Sequence, residues 1–122
     1  MIDTDSDDSQ SLYYQGREAM DRGDLRAAVD FFQQSIDLFP HFKTLELQGE
    51  CLLTLERPTS AIIALAASAT LGARPFRALY LLAQALVQIG DNRKAIEKLS
   101  EALAMQPDFA SAKALLSEIS NT

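Results

Sequence analysis

Two Gly-Asp pairs, Gly23-Asp24 and Gly90-Asp91, stand 67 residues apart, and Pro40 and Pro107 stand the same distance apart. Each pair opens a similar run: Leu25-Arg26-Ala27-Ala28-Val29-Asp30-Phe31-Phe32 after the first, Asn92-Arg93-Lys94-Ala95-Ile96-Glu97-Lys98-Leu99 after the second. Sixty-seven is 33 plus 34, and a degenerate copy fills the interval between them. Self-similarity at this period marks an array of short supersecondary units, each of which buries its apolar face only by stacking on its neighbours.

Those units are helical. From Ser11 onward no window shows the strict alternation of a half-buried strand. Helix breakers fall at regular intervals, at Gly23, Pro40, Pro58, Gly72 to Pro75, Gly90 and Pro107. They divide the chain into helices expected at 10–22, 25–38, 42–55, 58–71, 76–89, 92–105 and 109–119, most of them about 21 Å long. Pro58 fits because it falls in the first turn of its helix, where its missing N–H is not needed. Connections this short force successive helices to pack antiparallel as hairpins.

Superposing the three units gives a packing rule. Small residues recur at Gly16, Gly49 and Ala83, at Ala28, Ala61 and Ala95, and at Ser35, Ser68 and Ala102. Large apolar residues recur between them: Leu12, Leu45 and Leu79; Phe32, Leu65 and Leu99; Val29, Ile62 and Ile96. A small residue on one helix receives a large one from its neighbour, so the hairpins stack without voids.

Composition narrows the function classes. Apolar residues make up 48% and charged ones 23% of the 122, enough for one continuous core in a single domain. Asp3, Asp5, Asp7 and Asp8 supply four of the seventeen acidic residues, so most of the net charge of −6 lies in the first stretch. A basic stripe for nucleic acid is absent, and no nucleic-acid partner is expected. The most apolar run, Ala61 to Ala73, is too short to span a membrane, and no basic-then-apolar leader opens the chain; a cytoplasmic protein is expected. Cys51 and His41 are the only residues of their kinds, which removes an internal disulfide, a thiolate metal cluster and most triads. Cys51, among small packing residues, is expected to be a buried, inert thiol, and His41 a surface residue in a turn. No phosphate-binding Gly-rich loop or paired-carboxylate cleft can be assembled, so neither an enzyme nor a cofactor is expected.

Residues 1–8 read as a flexible acidic segment, with Asp8 or Ser9 capping the first helix. The alternation Asp3, Asp5, Asp7 is not a calcium loop: Asp8 and Tyr14 stand where glycine and glutamate are needed. Of Tyr13 and Tyr14, one is expected to pack inward and the other to face out.

The pattern resembles the tetratricopeptide repeat (TPR) family. The third unit carries it most fully, in Leu79, Leu82, Ala83, Leu86, Gly90-Asp91, Ala95, Leu99, Ala102 and Pro107. The first carries it in Leu12, Gly16, Gly23-Asp24, Ala28, Phe32 and Pro40, and the second in Leu45, Gly49, Leu52, Ala61 and Leu65. The second departs at Glu56-Arg57, where Gly-Asp is usual, and at Ala73, where proline is usual; the geometry of that turn is left open.

The resemblance implies an all-α fold: a right-handed superhelix of three helix-turn-helix hairpins over about 9–41, 42–75 and 76–109, with a capping helix at about 109–119. The ends fit such an array. Glu18 occupies the place of Cys51 and Ala85, tolerable only where no earlier repeat packs. Phe109, Ala112, Leu116 and Ile119 make one apolar stripe on the last helix. The array therefore reads as complete.

The resemblance also implies a concave groove lined by the first helix of each unit. Aligned on the family, that groove presents Tyr13, Arg17 and Met20; Lys43, Glu46, Glu50 and Leu53; and Arg77, Tyr80, Gln84 and Val87. The expected function is recognition of a peptide or helix of a partner protein, with Glu46 and Glu50 favouring a Lys or Arg on that partner. One subset of the family clamps the C-terminal carboxylates of heat-shock chaperones; here Tyr13, Arg17 and Glu50 stand in the clamp positions, so that activity is not expected. The alternatives are a client-binding secretion or assembly chaperone, as some small three-repeat relatives are, and homo-oligomeric assembly. The last would use the uncharged middle helix 59–71, with Ile63, Ala66, Ala67 and Thr70 at its outward places.

Overall fold

The computed structural model describes residues 4–121, and all seven elements among them are helices: α1 (Thr4–Asp21), α2 (Leu25–Leu38), α3 (Phe42–Thr54), α4 (Pro58–Leu71), α5 (Phe76–Gln88), α6 (Asn92–Met105) and α7 (Ala110–Ser120). Each helix packs on the next in sequence, and α3 also touches α5. The result is the right-handed superhelix of three hairpins with a closing helix. Odd-numbered helices form the inner layer and even-numbered ones the outer layer.

Six of the seven helices match their expected ends to within a residue at each end, α7 being shifted forward by one at both; α1 is the exception. It begins at Thr4, so residues 4–8 are helical turns instead of a flexible segment, while Met1 to Asp3 lie outside the described residues. Ser9 is inside the helix and does not cap it. Its Oγ donates to the Ser35 carbonyl at 2.9 Å and lies 3.2 Å from that of Phe39, while Ser35 Oγ donates to the Ser9 carbonyl at 2.7 Å. These bonds hold the second turn of α1 against the end of α2. Asp5 and Asp7 in the first turn also complement the helix dipole.

The hairpin rule holds at the atoms. A Cβ on Gly16 would overlap the Phe32 ring, and one on Gly49 would overlap Leu65. Phe32, Leu65, Leu99, Ala28, Ala61 and Ala95 are wholly buried. Leu12 is half-buried where Leu45 and Leu79 are buried, and Glu18 is exposed where Cys51 and Ala85 are buried. The Ser35–Ser68 set does more than provide small size: Ser68 Oγ donates to the Phe42 carbonyl at 2.7 Å, repeating the Ser35–Ser9 bond one unit later. At the far end Ala112 and Ile119 are buried against the core, with Phe109 and Leu116 packed beside them.

All three hairpin turns close with the same pair of backbone bonds. Gly23 N–H donates to Met20 and Asp24 N–H to Ala19; Glu56 to Leu53 and Arg57 to Leu52; Gly90 to Val87 and Asp91 to Leu86. This is the Schellman arrangement, which needs a left-handed residue after the helix. Gly23 (φ 80°) and Gly90 (φ 83°) supply it freely, and Glu56 adopts it at φ 59°. Asp24 and Asp91 then cap the next helix by accepting from the Ala27 and Lys94 N–H groups at 3.2 and 3.1 Å. Arg57 makes no side-chain cap, and α4 starts instead on Pro58. The middle turn, left open by the sequence, therefore has the geometry of its neighbours without their residues.

Candidate binding groove

On the inner layer α3 packs against α5, and the residues expected to line a groove come from α1, α3 and α5. Tyr13, Met20, Tyr80, Gln84 and Val87 are half-buried on this layer, and Arg17 is exposed. Tyr13 packs on Phe32 with ring centroids 6.1 Å apart, and the Arg17 guanidinium lies 6.0 Å from its ring. Tyr14 is 52% exposed, so the two tyrosines divide as expected. At the other end Tyr80 meets Phe109 edge-on at 5.1 Å and accepts a hydrogen bond from Gln84 Nε2 at 3.1 Å. Phe109, at the start of α7, also meets Phe76 edge-on at 5.6 Å. The residue that precedes the last helix thus joins Phe76 and Tyr80 in an aromatic cluster that the repeat pattern alone did not show.

The centre differs from expectation. Leu53 is 7% exposed and belongs to the core. Glu46, 6% exposed, binds Lys43 Nζ at 2.8 Å and Arg77 at 3.0 Å, and Arg77 binds Glu50 at 3.0 Å. Four charges from α3 and α5 therefore close on one another across the repeat boundary. Burial lowers the affinity of the Arg77 guanidinium for its proton, but its bonds and charge pairing with Glu50 and Glu46 outweigh this and raise its pKa. The acidity expected to attract a basic partner residue is engaged within the molecule, in a set of two cations and two carboxylates that balance. The signal was available in principle: Lys43 and Glu46 share one helix face, and Arg77 sits one repeat on from Lys43.

Outside the groove, Cys51 is 1% exposed and its thiol is pushed up to about 11 by burial, with the Glu50 charge adding to the effect. At neutral pH it stays a thiol and a poor nucleophile. His41 is exposed and caps α3, its Nδ1 accepting from the Lys43 N–H at 3.2 Å. On the outer layer Ile63 is 70% exposed, and Ala66 and Thr70 are exposed, whereas Ala67 packs partly against the core. Among the described residues no group of three or more His, Cys, Asp or Glu could hold a metal ion. No described helix is long and apolar enough to cross a membrane.

A tetratricopeptide repeat family model matches residues 13–78 and 80–120, nearly the whole chain, and the chain belongs to that family. Among curated proteins it is similar to DnaJ homolog subfamily C member 3 of Gallus gallus, 27% identical over 117 residues that make up 95% of this chain. The chain spans about a quarter of that relative's length, 23% of it. Among solved structures, the first TPR of Spaghetti (RPAP3) bound to the HSP90 peptide SRMEEVD superposes with a TM-score of 0.91 at 17% identity, covering 95% of this chain and 93% of that one. The MamA RS-1 ArsTM double mutant gives a TM-score of 0.87 at 27% identity, covering 92% of this chain and 64% of that one.

Proposed function

We propose that this chain is a protein-interaction module, an adaptor that takes a peptide or helix of a partner protein in the concave groove of α1, α3, α5 and α7. The observation that carries this reading is a set of half-buried aromatic and apolar side chains on α1 and α5. Tyr13 and Met20 of α1 and Tyr80, Gln84 and Val87 of α5 are half-buried, and the charges of Lys43, Glu46, Glu50 and Arg77 pair with one another without an outside counter-ion. Aromatic and methionine side chains held this way are anchors for an apolar segment. RPAP3, of the same fold, holds a chaperone peptide.

In this chain Arg77 and Lys43 already hold Glu46 and Glu50, so the groove centre offers no free cation to a terminal carboxylate. The reading therefore excludes a carboxylate-clamping co-chaperone, and micromolar binding of the peptide SRMEEVD to this chain would show that exclusion wrong. The groove reading is tested by affinity capture from the source cell, comparing the wild type with a Tyr13→Ala/Tyr80→Ala variant of unchanged helicity. Loss of the captured partners is expected; an unchanged set refutes it.

A second reading has its own observation. From Pro58 to Ala73 there is no charged residue, and Ile63, 70% exposed, lines a cleft of about 440 Å³. This supports self-association through α4. Light scattering at high protein concentration should show an oligomer that Ile63→Glu dissociates; a monomer throughout removes the idea.

A further inference from the structure

The charge of this protein is not spread along the array. Nine of the seventeen acidic residues and three of the eleven basic ones precede Leu38, so the whole net charge of −6 belongs to the first hairpin, and the remaining 85 residues sum to zero. Every ion pair among the described residues lies between Lys43 and Glu101, which leaves Asp5, Asp7 and Asp8 exposed and without a counter-ion. A cleft of about 290 Å³ opens at this same end, where α1, the end of α2 and the start of α3 meet. Its floor is the hydrogen-bonded Ser9–Ser35 pair, and its walls include Tyr13, Tyr14, Phe39 and His41. Tyr14 and Phe39 are 52% and 47% exposed, large aromatic surface left uncovered beside unpaired negative charge. Asp7 lies three and seven residues before Gln10 and Tyr14, which line the cleft, so all three share one helix face.

We propose that this cleft takes one large apolar side chain of a partner protein's segment, and that the residues flanking that side chain are Lys or Arg. The aromatic walls supply a pocket in which such an anchor is desolvated. The uncompensated charge of the first hairpin supplies complementarity to the flanking cations and speeds their approach. The proposal rests on the groove reading, since Tyr13 and Lys43 line both, and it places the dominant anchor at the α1 end. A second copy of this chain does not fit the description. Its only phenylalanine flanked by arginines, in Arg74-Pro75-Phe76-Arg77, is packed edge-on against Phe109 with Arg77 bound to Glu46 and Glu50.

The test uses three fluorescein-labelled peptides of equal length and the full chain, with affinity read by anisotropy at low and high salt. One peptide has the core Lys-Lys-Phe-Lys-Lys; the second replaces Phe by Ala; the third replaces every Lys by Glu. The first is expected to bind about tenfold more tightly than either of the others. Asp5→Asn/Asp7→Asn/Asp8→Asn should weaken it about fivefold and flatten its salt dependence. Phe39→Ala, which alters a half-exposed ring and spares the core, should weaken it by a similar factor, and by clearly more than Tyr80→Ala at the other end. Equal affinity for the three peptides, including no binding to any, overturns the proposal. So does a loss from Tyr80→Ala as large as that from Phe39→Ala, an outcome that leaves the groove reading intact.

Discussion

Glu56 shows what a single residue tolerates when the rest of the fold demands it. A left-handed backbone costs a non-glycine residue about 1–2 kcal/mol, yet Glu56 holds φ 59° because the bonds from Glu56 and Arg57 to Leu53 and Leu52 close the turn. The two sister turns carry glycine there. Glu56→Gly is therefore expected to raise stability by about 0.5–1 kcal/mol, the strain relieved less the added freedom of the unfolded chain. An increase in the midpoint of urea unfolding at constant slope checks it, and no increase means that Glu56 is held by contacts other than this turn. At this scale the sequence was legible wherever one residue decides one geometry: Gly23 and Gly90 at the turns, Asp24 and Asp91 at the caps. It was silent on His41 as a cap, because an imidazole accepts from the backbone only when its tautomer and rotamer are set by the fold.

Helix boundaries were legible because their causes are local. Gly, Pro and Asp act on the residues beside them, and α2, α4 and α6 begin and end where those signals lie. The start of α1 was not legible, because the partner that holds its second turn is Ser35, 26 residues away. Contacts between helices follow the same division. The pairing of small with large residues was visible as a pattern, and its severity was not. A Cβ at position 49 would overlap Leu65, which is wholly buried with no space to move into, whereas one at Gly72 would make only ordinary contacts of 3.4 Å and beyond. Gly49→Ala should therefore destabilise the α3–α4 hairpin by about 1–3 kcal/mol, and Gly72→Ala should leave it nearly unchanged. Thermal unfolding followed by circular dichroism compares the two, and equal melting temperatures would refute the close approach.

For the whole molecule the decisive contact is between repeats. Arg77 of α5 reaches back to Glu46 and Glu50 of α3, and Glu46 is almost entirely out of water. Arg77→Ala leaves Glu46 with Lys43 alone, and a cost of about 1–2 kcal/mol is expected, with part recovered on adding Glu46→Gln. Lys98→Ala, which breaks the exposed pair with Glu101, should cost well under 1 kcal/mol. Chemical denaturation of the variants is the measurement, and equal costs for the two would mean that burial of Glu46 counts for nothing.

The repeat spacing, the breakers and the small-large alternation determined the fold class, the number of helices and the antiparallel hairpins, because each rests on interactions within a hairpin or on one residue's backbone preference. The sequence also pointed to Tyr13, Tyr80, Gln84 and Val87 as candidate groove residues, since equivalent positions of stacked repeats face the same way. Only the tertiary structure decided which of the candidate groove residues are already engaged within the molecule. Whether Glu46 and Glu50 meet a partner or Arg77, whether Leu53 is wall or core, and whether Phe109 joins Tyr80 all depend on distances between repeats. Such distances are fixed by packing and leave no mark in the period of the sequence.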